Sequence, residues 1–191
     1  MGFKNSLTTL WSNSVFNWSA AEADFTIANF WMDPTGEFDH LRLIMRIRGS
    51  QETTQMGNSV QMMFNNDTTS ANYYHNNTYT QNGASTITHY VANDYSPVFF
   101  GGIYSYSGGT GTAETRPGTK TMVMMDFYNW NSTTLKKVFR GHAIQADYSA
   151  DVYGGYVTGM WNSTAAITSI KWSNSNYFMQ GCTWDWYGFN S

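Results

Sequence analysis

Apolar and polar side chains alternate along residues 41–48, and this alternation constrains the fold more than any other feature of the sequence. Three arginines and Ile44 lie on one parity, and the other parity carries Leu41, Leu43, Met45 and Ile47. A period of two residues places alternate side chains on opposite faces of a strand. The segment is therefore predicted to be a half-buried β-strand with its polar face outward.

Similar short segments recur between glycine-rich or amide-rich breaks. The predicted strands are residues 41–48, 60–64, 85–93, 97–106, 120–127, 135–141, 152–161, 166–172 and 182–189. No window carries a sustained helical stripe, and the best helical candidate, residues 19–24, is only about one and a half turns long. We therefore expect an all-β fold, an antiparallel two-sheet β-sandwich of the jelly-roll type, with little helix.

The amino-terminal segment differs in kind from the rest of the 191 residues. Its aromatic side chains are spaced among small polar residues without a long alternation. We expect residues 1–37 to form an extended arm or one or two edge strands, and residues 38–191 to form the β-sandwich domain, because this length suits one core. An arm that docks on a neighbouring subunit would make five residues candidates for a protein interface: Trp11, Phe16, Trp18, Phe30 and Trp31.

Charge and hydropathy exclude two classes of partner. The net charge is −3 and the basic residues are scattered, so the chain lacks the basic patch that binds a phosphate backbone. No stretch approaches the roughly 20 apolar residues that span a bilayer, and no secretory signal is recognised. We therefore expect neither nucleic acid nor membrane as a partner. The single cysteine, Cys182, is predicted to be a small buried residue, which suits folding in a reducing cytoplasm.

No motif for catalysis emerges from the polar residues. Four carboxylates on predicted strands or strand ends offer a glycosidase pair, but their spacing singles out no two of them: Asp126, Asp147, Asp151 and Asp185. His75 and His89 are placed to meet across strands, yet no histidine forms a zinc-binding pattern. We expect no catalytic residue, no cofactor and no metal, and the protein is not expected to be an enzyme.

Aromatic residues make up 17% of the chain, which is unusually high. Near the end, Trp184 and Trp186 share one parity while Tyr187 and Phe189 share the other, so this strand is predicted to be covered on both faces, by a loop or by another subunit. Exposed tyrosines near amide-rich loops offer an alternative use, the stacking of sugar rings: Tyr73, Tyr74, Tyr79, Tyr90, Tyr104 and Tyr106.

Five tracts between residues 38 and 189 follow one another in a recognisable order. They are Phe38-Asp39-His40-Leu41-Arg42-Leu43 through Ile47-Arg48-Gly49; Val60-Gln61-Met62-Met63-Phe64-Asn65-Asn66-Asp67; Met124-Met125-Asp126-Phe127-Tyr128-Asn129 before Lys136-Lys137-Val138; Gly159-Met160-Trp161-Asn162-Ser163-Thr164-Ala165-Ala166-Ile167-Thr168-Ser169-Ile170; and Trp186-Tyr187-Gly188-Phe189. In this order the tracts resemble the small jelly-roll β-sandwich virion proteins of tailed bacteriophages. The resemblance does not extend to the first 37 residues.

The resemblance implies a structural role on a phage particle and no catalytic residue. We expect a capsid decoration (cement) protein, made in the host cytoplasm and located on the capsid surface of the virion. Its expected partners are the major capsid protein and further copies of itself, as a homotrimer. The alternative is a tail-fibre or receptor-binding module that recognises host surface glycans.

Overall fold

The computed structural model describes residues 8–13, 22–28, 37–47, 60–81, 88–93, 98–100, 121–146, 152–178 and 182–190. These residues form twelve strands and one short 3-10 helix, Ser70–Asn72. The strands are β1 (Thr8–Asn13), β2 (Glu22–Ala28), β3 (His40–Ile47), β4 (Val60–Phe64), β5 (Tyr73–Gln81), β6 (Thr88–Asn93), β7 (Val98–Phe100), β8 (Thr121–Tyr128), β9 (Lys137–Ala146), β10 (Val152–Trp161), β11 (Ser169–Phe178) and β12 (Thr183–Phe189). In this part of the chain no helix is long and apolar enough to cross a bilayer.

The strands form two sheets, and every described pairing is antiparallel. The large sheet has eight strands in the order β1-β12-β3-β8-β9-β10-β5-β6, and the small sheet has four in the order β2-β11-β4-β7. The prediction of an all-β antiparallel chain is confirmed. Within residues 1–37, β1 and β2 lie at the edge of the large and the small sheet, respectively.

One strand, β5, was missed by the sequence analysis. Its buried positions are occupied by Tyr73, His75 and Asn77, so polar side chains fill two inward sites where a clear alternation would place apolar ones. The helical candidate at residues 19–24 is wrong for the three residues that the structure describes, because residues 22–24 begin strand β2. The pairing of β2 with β11 supplies its hydrogen-bond partners.

A single core joins the two sheets, and Phe64 lies at its centre. This residue belongs to β4 of the small sheet and is completely buried. Its ring centroid lies 5.6 to 6.2 Å from four aromatic rings on the large sheet: Tyr73, Phe127, Phe139 and Trp161. At these separations aromatic pairs add edge-to-face and offset contacts to the area that they bury. Phe64 therefore bridges the two sheets through its side chain.

Gly159 makes room for one of these rings. A Cβ atom at this position would overlap the ring of Phe139 and come within 2.6 Å of the carbonyl oxygen of Tyr74. Because Phe139 lies opposite Gly159 in the register of β9 and β10, any larger residue would displace that ring from the core. The close packing of β9, β10 and β5 thus depends on this glycine.

The turn after β4 links two of the tracts that carry the phage resemblance. Asn65 and Asn66 have φ angles of 52° and 56°, a left-handed conformation that asparagine tolerates better than most residues. The Asn65 side-chain oxygen accepts hydrogen bonds from the backbone N–H groups of Thr168, at 2.7 Å, and Ser169, at 3.1 Å. These bonds fix the turn against the start of β11, about 100 residues further along the chain.

The side chain of Asp67 adds a second contact between the same two tracts. Its Oδ2 accepts hydrogen bonds from the Trp161 indole N–H and the Asn72 amide, both at 2.8 Å. The Tyr73 hydroxyl donates to the Asp67 carbonyl oxygen at 2.9 Å. Burial raises the pKa of Tyr73 to about 12, so its hydroxyl remains a donor at physiological pH. The tracts of residues 60–67 and 159–170 therefore act together as a structural unit.

Lys137 is buried and ties two loops together. Its ammonium group donates to three backbone carbonyl oxygens: Ser132 at 2.6 Å, Leu135 at 2.7 Å and Thr164 at 3.1 Å. The three N–H donors of a lysine are thus matched by three acceptors. Burial lowers the pKa of Lys137. The side chain replaces water as the partner of these carbonyl groups.

Phe64→Ala is expected to lower the free energy of unfolding by about 3 to 5 kcal/mol, because it removes the ring that bridges the sheets and leaves a cavity. Met63→Ala changes the preceding residue, whose side chain lies on the opposite side of β4, and should cost about 1 kcal/mol or less. Urea denaturation of both variants measures the difference. Equal losses would contradict the central position of Phe64.

Lys137→Met is expected to destabilise the protein by at least about 2 kcal/mol, since three carbonyl groups lose their donor. The exposed neighbour Lys136 provides the control, because Lys136→Met removes the same charge with no described hydrogen bond of its side chain. Thermal unfolding of the two variants, compared with the wild type, gives the result. Similar melting temperatures for both variants would show that the carbonyl contacts contribute little.

Candidate functional site

One face of the large sheet packs against the core, and the opposite face is its outer face. Strand register places one row of its side chains side by side across five strands: Arg42, Asp126, Arg140, Thr158 and Asn76. Neighbouring side chains in such a row lie about 5 Å apart, close enough for direct contact. The spacing of the side chains on the outer face is therefore set by the pairing of the strands.

An ion-pair network occupies the first three positions of this row. The Asp126 carboxylate accepts a hydrogen bond from Nη2 of Arg42 at 2.9 Å and from Nε of Arg140 at 3.1 Å. Desolvation by burial raises the pKa of Asp126, but the hydrogen bonds and charges of Arg42 and Arg140 outweigh that effect, so the pKa lies below its ordinary value. Asp126 is therefore a fixed carboxylate and is unsuited to donating a proton.

Aromatic rings brace the two arginines. The Arg42 guanidinium carbon lies 5.9 Å from the centre of the Phe189 ring, and that of Arg140 lies 5.5 Å from the Tyr128 ring. His40 lies between these rings, at 5.2 Å from Tyr128 and 5.3 Å from Phe189. Cation–π contacts of this kind restrict the rotamers of the arginines. The centre of the outer face is thus held in one arrangement.

Exposed apolar side chains surround this centre. Of the five large apolar side chains that are exposed in the described part of the chain, four lie on the outer face with 44% to 57% of their surface accessible: Met122, Val138, Ile144 and Tyr156. Met122 and Ile144 are direct register partners on β8 and β9. Apolar groups clustered on one face of a protein are typical of an interaction site.

The outer face presents positive charge to solvent. The side chains of Arg46 and Arg140 are each 53% exposed. Their acidic partners are shielded, with exposed fractions of 18% for Asp185 and 6% for Asp126. An approaching molecule would therefore meet guanidinium groups before it met carboxylates, although the whole chain has a net charge of −3.

A shallow hollow of about 190 Å³ lies between β10 and β5. The side chains that line it from the outer face are Tyr74, Asn76, Thr158 and Met160. Thr158 is the register partner of Arg140, so the hollow adjoins the ion-pair network. Its size suits one side chain or one sugar ring, and its lining combines an apolar thioether and ring with an amide and a hydroxyl.

The carboxylates and histidines considered in the sequence analysis are only partly within the described residues. Both described carboxylates of the proposed glycosidase set, Asp126 and Asp185, lie within 4 Å of an arginine. No group of three or more potential metal ligands occurs among the described residues. His75 is opposite Ala92 and His89 is opposite Thr78, so the two histidines are not direct neighbours in the register. Burial lowers the pKa of His75.

The five predicted interface residues fall almost entirely outside the described chain. Trp11 lies in β1, where its backbone is paired with Trp186 of β12. Phe16, Trp18, Phe30 and Trp31 lie outside the described residues. Asp147, Asp151, Tyr104 and Tyr106 also lie outside them.

The late aromatic strand, β12, is buried on its core face and half-buried on its outer face. In β12 the side chains of Trp184 and Trp186 are buried in the core, while Tyr187 and Phe189 are half-buried on the outer face. The expected cover of the outer face of β12 by a loop or by another subunit stays a prediction. Tyr73 is buried and unavailable for stacking sugars, whereas Tyr74 lines the hollow. Cys182 is buried, as predicted.

Sequence reasoning missed the residues that define the outer face. The arginines of β3 were assigned to a polar face, but nothing linked them to Asp126, Arg140, Ile144 or Tyr156. No family model, no curated protein and no solved structure matches this chain. The function is therefore inferred from this face and from the resemblance of the five tracts.

Asp126→Asn is expected to lower the free energy of unfolding at pH 7 by about 1.5 to 3 kcal/mol, because two guanidinium groups lose a charged acceptor. The pKa of Asp126 in the folded state is lower than in the unfolded state. The ionised carboxylate therefore stabilises the native state at pH values above the unfolded-state pKa, and this stabilisation is lost as the pH falls through the folded-state pKa. The difference in the free energy of unfolding between wild type and variant should decrease from pH 7 to about pH 3.

Urea denaturation at several pH values tests this expectation. The exposed Asp39 provides the control, because Asp39→Asn removes the same charge from a side chain outside the network. A gap for Asp126→Asn that is as large at pH 3 as at pH 7 would contradict the stabilising role of the ionised carboxylate.

Proposed function

We propose that the protein is a structural protein of a phage virion, most specifically a capsid decoration (cement) protein that binds the outer capsid surface and stabilises the shell. The observation that carries the proposal is the outer face of the large sheet, where exposed apolar side chains surround a braced ion-pair network. A cement protein must hold its partner by surface contact alone, without chemistry. Such a face is suited to that task.

Rigidity of the outer face favours binding. Its side chains project from paired strands, and the arginines at its centre are held by a carboxylate and by aromatic rings. Groups that are already ordered lose little conformational entropy when a partner docks on them. A preformed sheet face therefore suits a protein that must remain attached while the shell is under internal pressure.

The strand order supports a jelly-roll topology as part of the proposal. In a jelly roll, eight strands form two four-stranded sheets; the last strand lies between the first and the third, and the next-to-last between the second and the fourth. In this chain β12 lies between β1 and β3, and β11 lies between β2 and β4. The remaining strands β5, β6, β9 and β10 then extend the large sheet beyond β8.

The resemblance to phage virion proteins gains support from the turn after β4. Two tracts that carry the resemblance contact each other through the side chains of Asn65 and Asp67. Residue patterns that make long-range contacts of this kind specify a fold. The same tracts thus favour a shared architecture with those virion proteins, while the outer face accounts for the binding role.

The hollow favours a second candidate function, a tail-fibre or receptor-binding module that recognises host glycans. Tyr74 supplies an aromatic ring, and Asn76 and Thr158 supply polar groups beside it. A ring that meets sugar C–H groups, flanked by hydrogen-bonding groups, is the usual construction of a sugar site. The exposed aliphatic surface of Ile144 and Met122 is not needed for that use, so we rank it second.

Binding to phage shells that lack the protein tests the proposal. The purified chain should sediment with such shells, and cryo-electron microscopy should show copies at regular sites on the outer surface. Decorated shells should also withstand a higher temperature before they rupture. The absence of binding to shells, together with retention on a glycan array or density confined to the tail tip, would replace the cement role by receptor recognition.

A further inference from the structure

Three of the four exposed apolar residues of the outer face, and the hollow, lie on one part of that face. Ile144 belongs to β9, Tyr156 to β10, and the hollow lies between β10 and β5. These are strands that lie beyond β8 in the large sheet. Arg140 of β9 lies among them and beside the hollow. The extension of the sheet therefore brings together apolar side chains, the hollow and the exposed Arg140.

The outer face as a whole is close to the size of a specific interface. Five strands, β3, β8, β9, β10 and β5, at about 4.8 Å per strand and about eight residues at 3.3 Å per residue give roughly 600 Å² in projection. Side chains that project from the sheet add to this area. A stable protein interface buries about 800 Å² on each partner, so the face is close to the required size.

The charge of the face indicates the nature of its partner. Arg46 and Arg140 are exposed, whereas the carboxylates of Asp126 and Asp185 are shielded. Complementary charge lowers the cost of desolvating such groups and orients the partner as it approaches. A second copy of the same face would place guanidinium groups opposite each other. The complementary surface is therefore acidic, with apolar groups that match Ile144, Met122 and Tyr156.

We propose that the outer face is the docking surface for an acidic protein surface, with Arg46 and Arg140 pairing with its carboxylates and the hollow receiving one of its apolar side chains. The inference rests on the proposed function, in which that surface belongs to the major capsid protein. Anchor residues that enter a pocket beside a charged pair are the usual centre of a protein interface. The hollow and Arg140 occupy such neighbouring positions.

Two charge-neutralising variants test whether binding depends on the outer face or on charge elsewhere in the protein. Arg140→Gln removes one cation from the outer face, and Lys171→Gln removes one from the small sheet, where Lys171 points away from the buried side chains of Ile170 and Trp172. The probe is a phage shell that lacks the protein, and the measurement is the dissociation constant from sedimentation. Arg140→Gln should weaken binding at least tenfold in 50 mM NaCl, and Lys171→Gln less than twofold.

Salt and a blocked hollow provide two further measurements. Raising NaCl from 50 to 500 mM should weaken wild-type binding more than it weakens binding of the double variant Arg46→Gln/Arg140→Gln, because exposed charge pairs are screened by salt. Asn76→Trp should fill the hollow and weaken binding at least tenfold, with circular dichroism and the melting temperature showing that the variant is folded. Asn76 is exposed, so the larger side chain is compatible with the fold.

The outcomes distinguish the inference from the proposed function. If Arg140→Gln and the folded Asn76→Trp variant bind shells as tightly as the wild type does, the docking face is overturned and the cement role is left intact. No binding of the wild type to shells overturns both. Loss of glycan binding or of self-association in these variants, with shell binding retained, assigns the face to a sugar or to a second copy and overturns the inference.

Discussion

The burial of Phe64 among four aromatic rings of the large sheet is the contact on which the remaining structure depends. It fixes the small sheet against β5, β8, β9 and β10 at a single position. Those four strands also carry most of the outer face. Because alternate side chains point to opposite faces, the packing that orders their inner side also orders the spacing of their outer side chains.

The electrostatics of the outer face follow from this spacing. Asp126 lies between Arg42 and Arg140 only because β3, β8 and β9 pair in one register, and a shift of one residue would turn the carboxylate toward the core. The same register leaves Arg46 and Arg140 exposed while their acidic partners are shielded. Core packing and surface charge are thus two consequences of one strand alignment.

Local patterns in the sequence predicted the strands but not their neighbours. The alternation of residues 41–48 identified β3, and residues 152–161 were assigned to β10 with the correct bounds. β5 escaped because His75 and Asn77 occupy buried sites that usually hold apolar residues. The Arg42 partner of Asp126 and the Thr164 acceptor of Lys137 lie in distant segments, and no local pattern encodes such contacts.

The position of the exposed apolar residues connects architecture with function. If β1, β12, β3 and β8 form one half of a jelly roll, β9, β10, β5 and β6 are an addition that the core topology does not require. The addition contributes Arg140, Ile144, Tyr156 and the hollow, beside the Arg42–Asp126 pair of β3 and β8. Exposed apolar surface reduces solubility unless a partner covers it. In the proposed function, the partner covers the apolar surface that this addition creates.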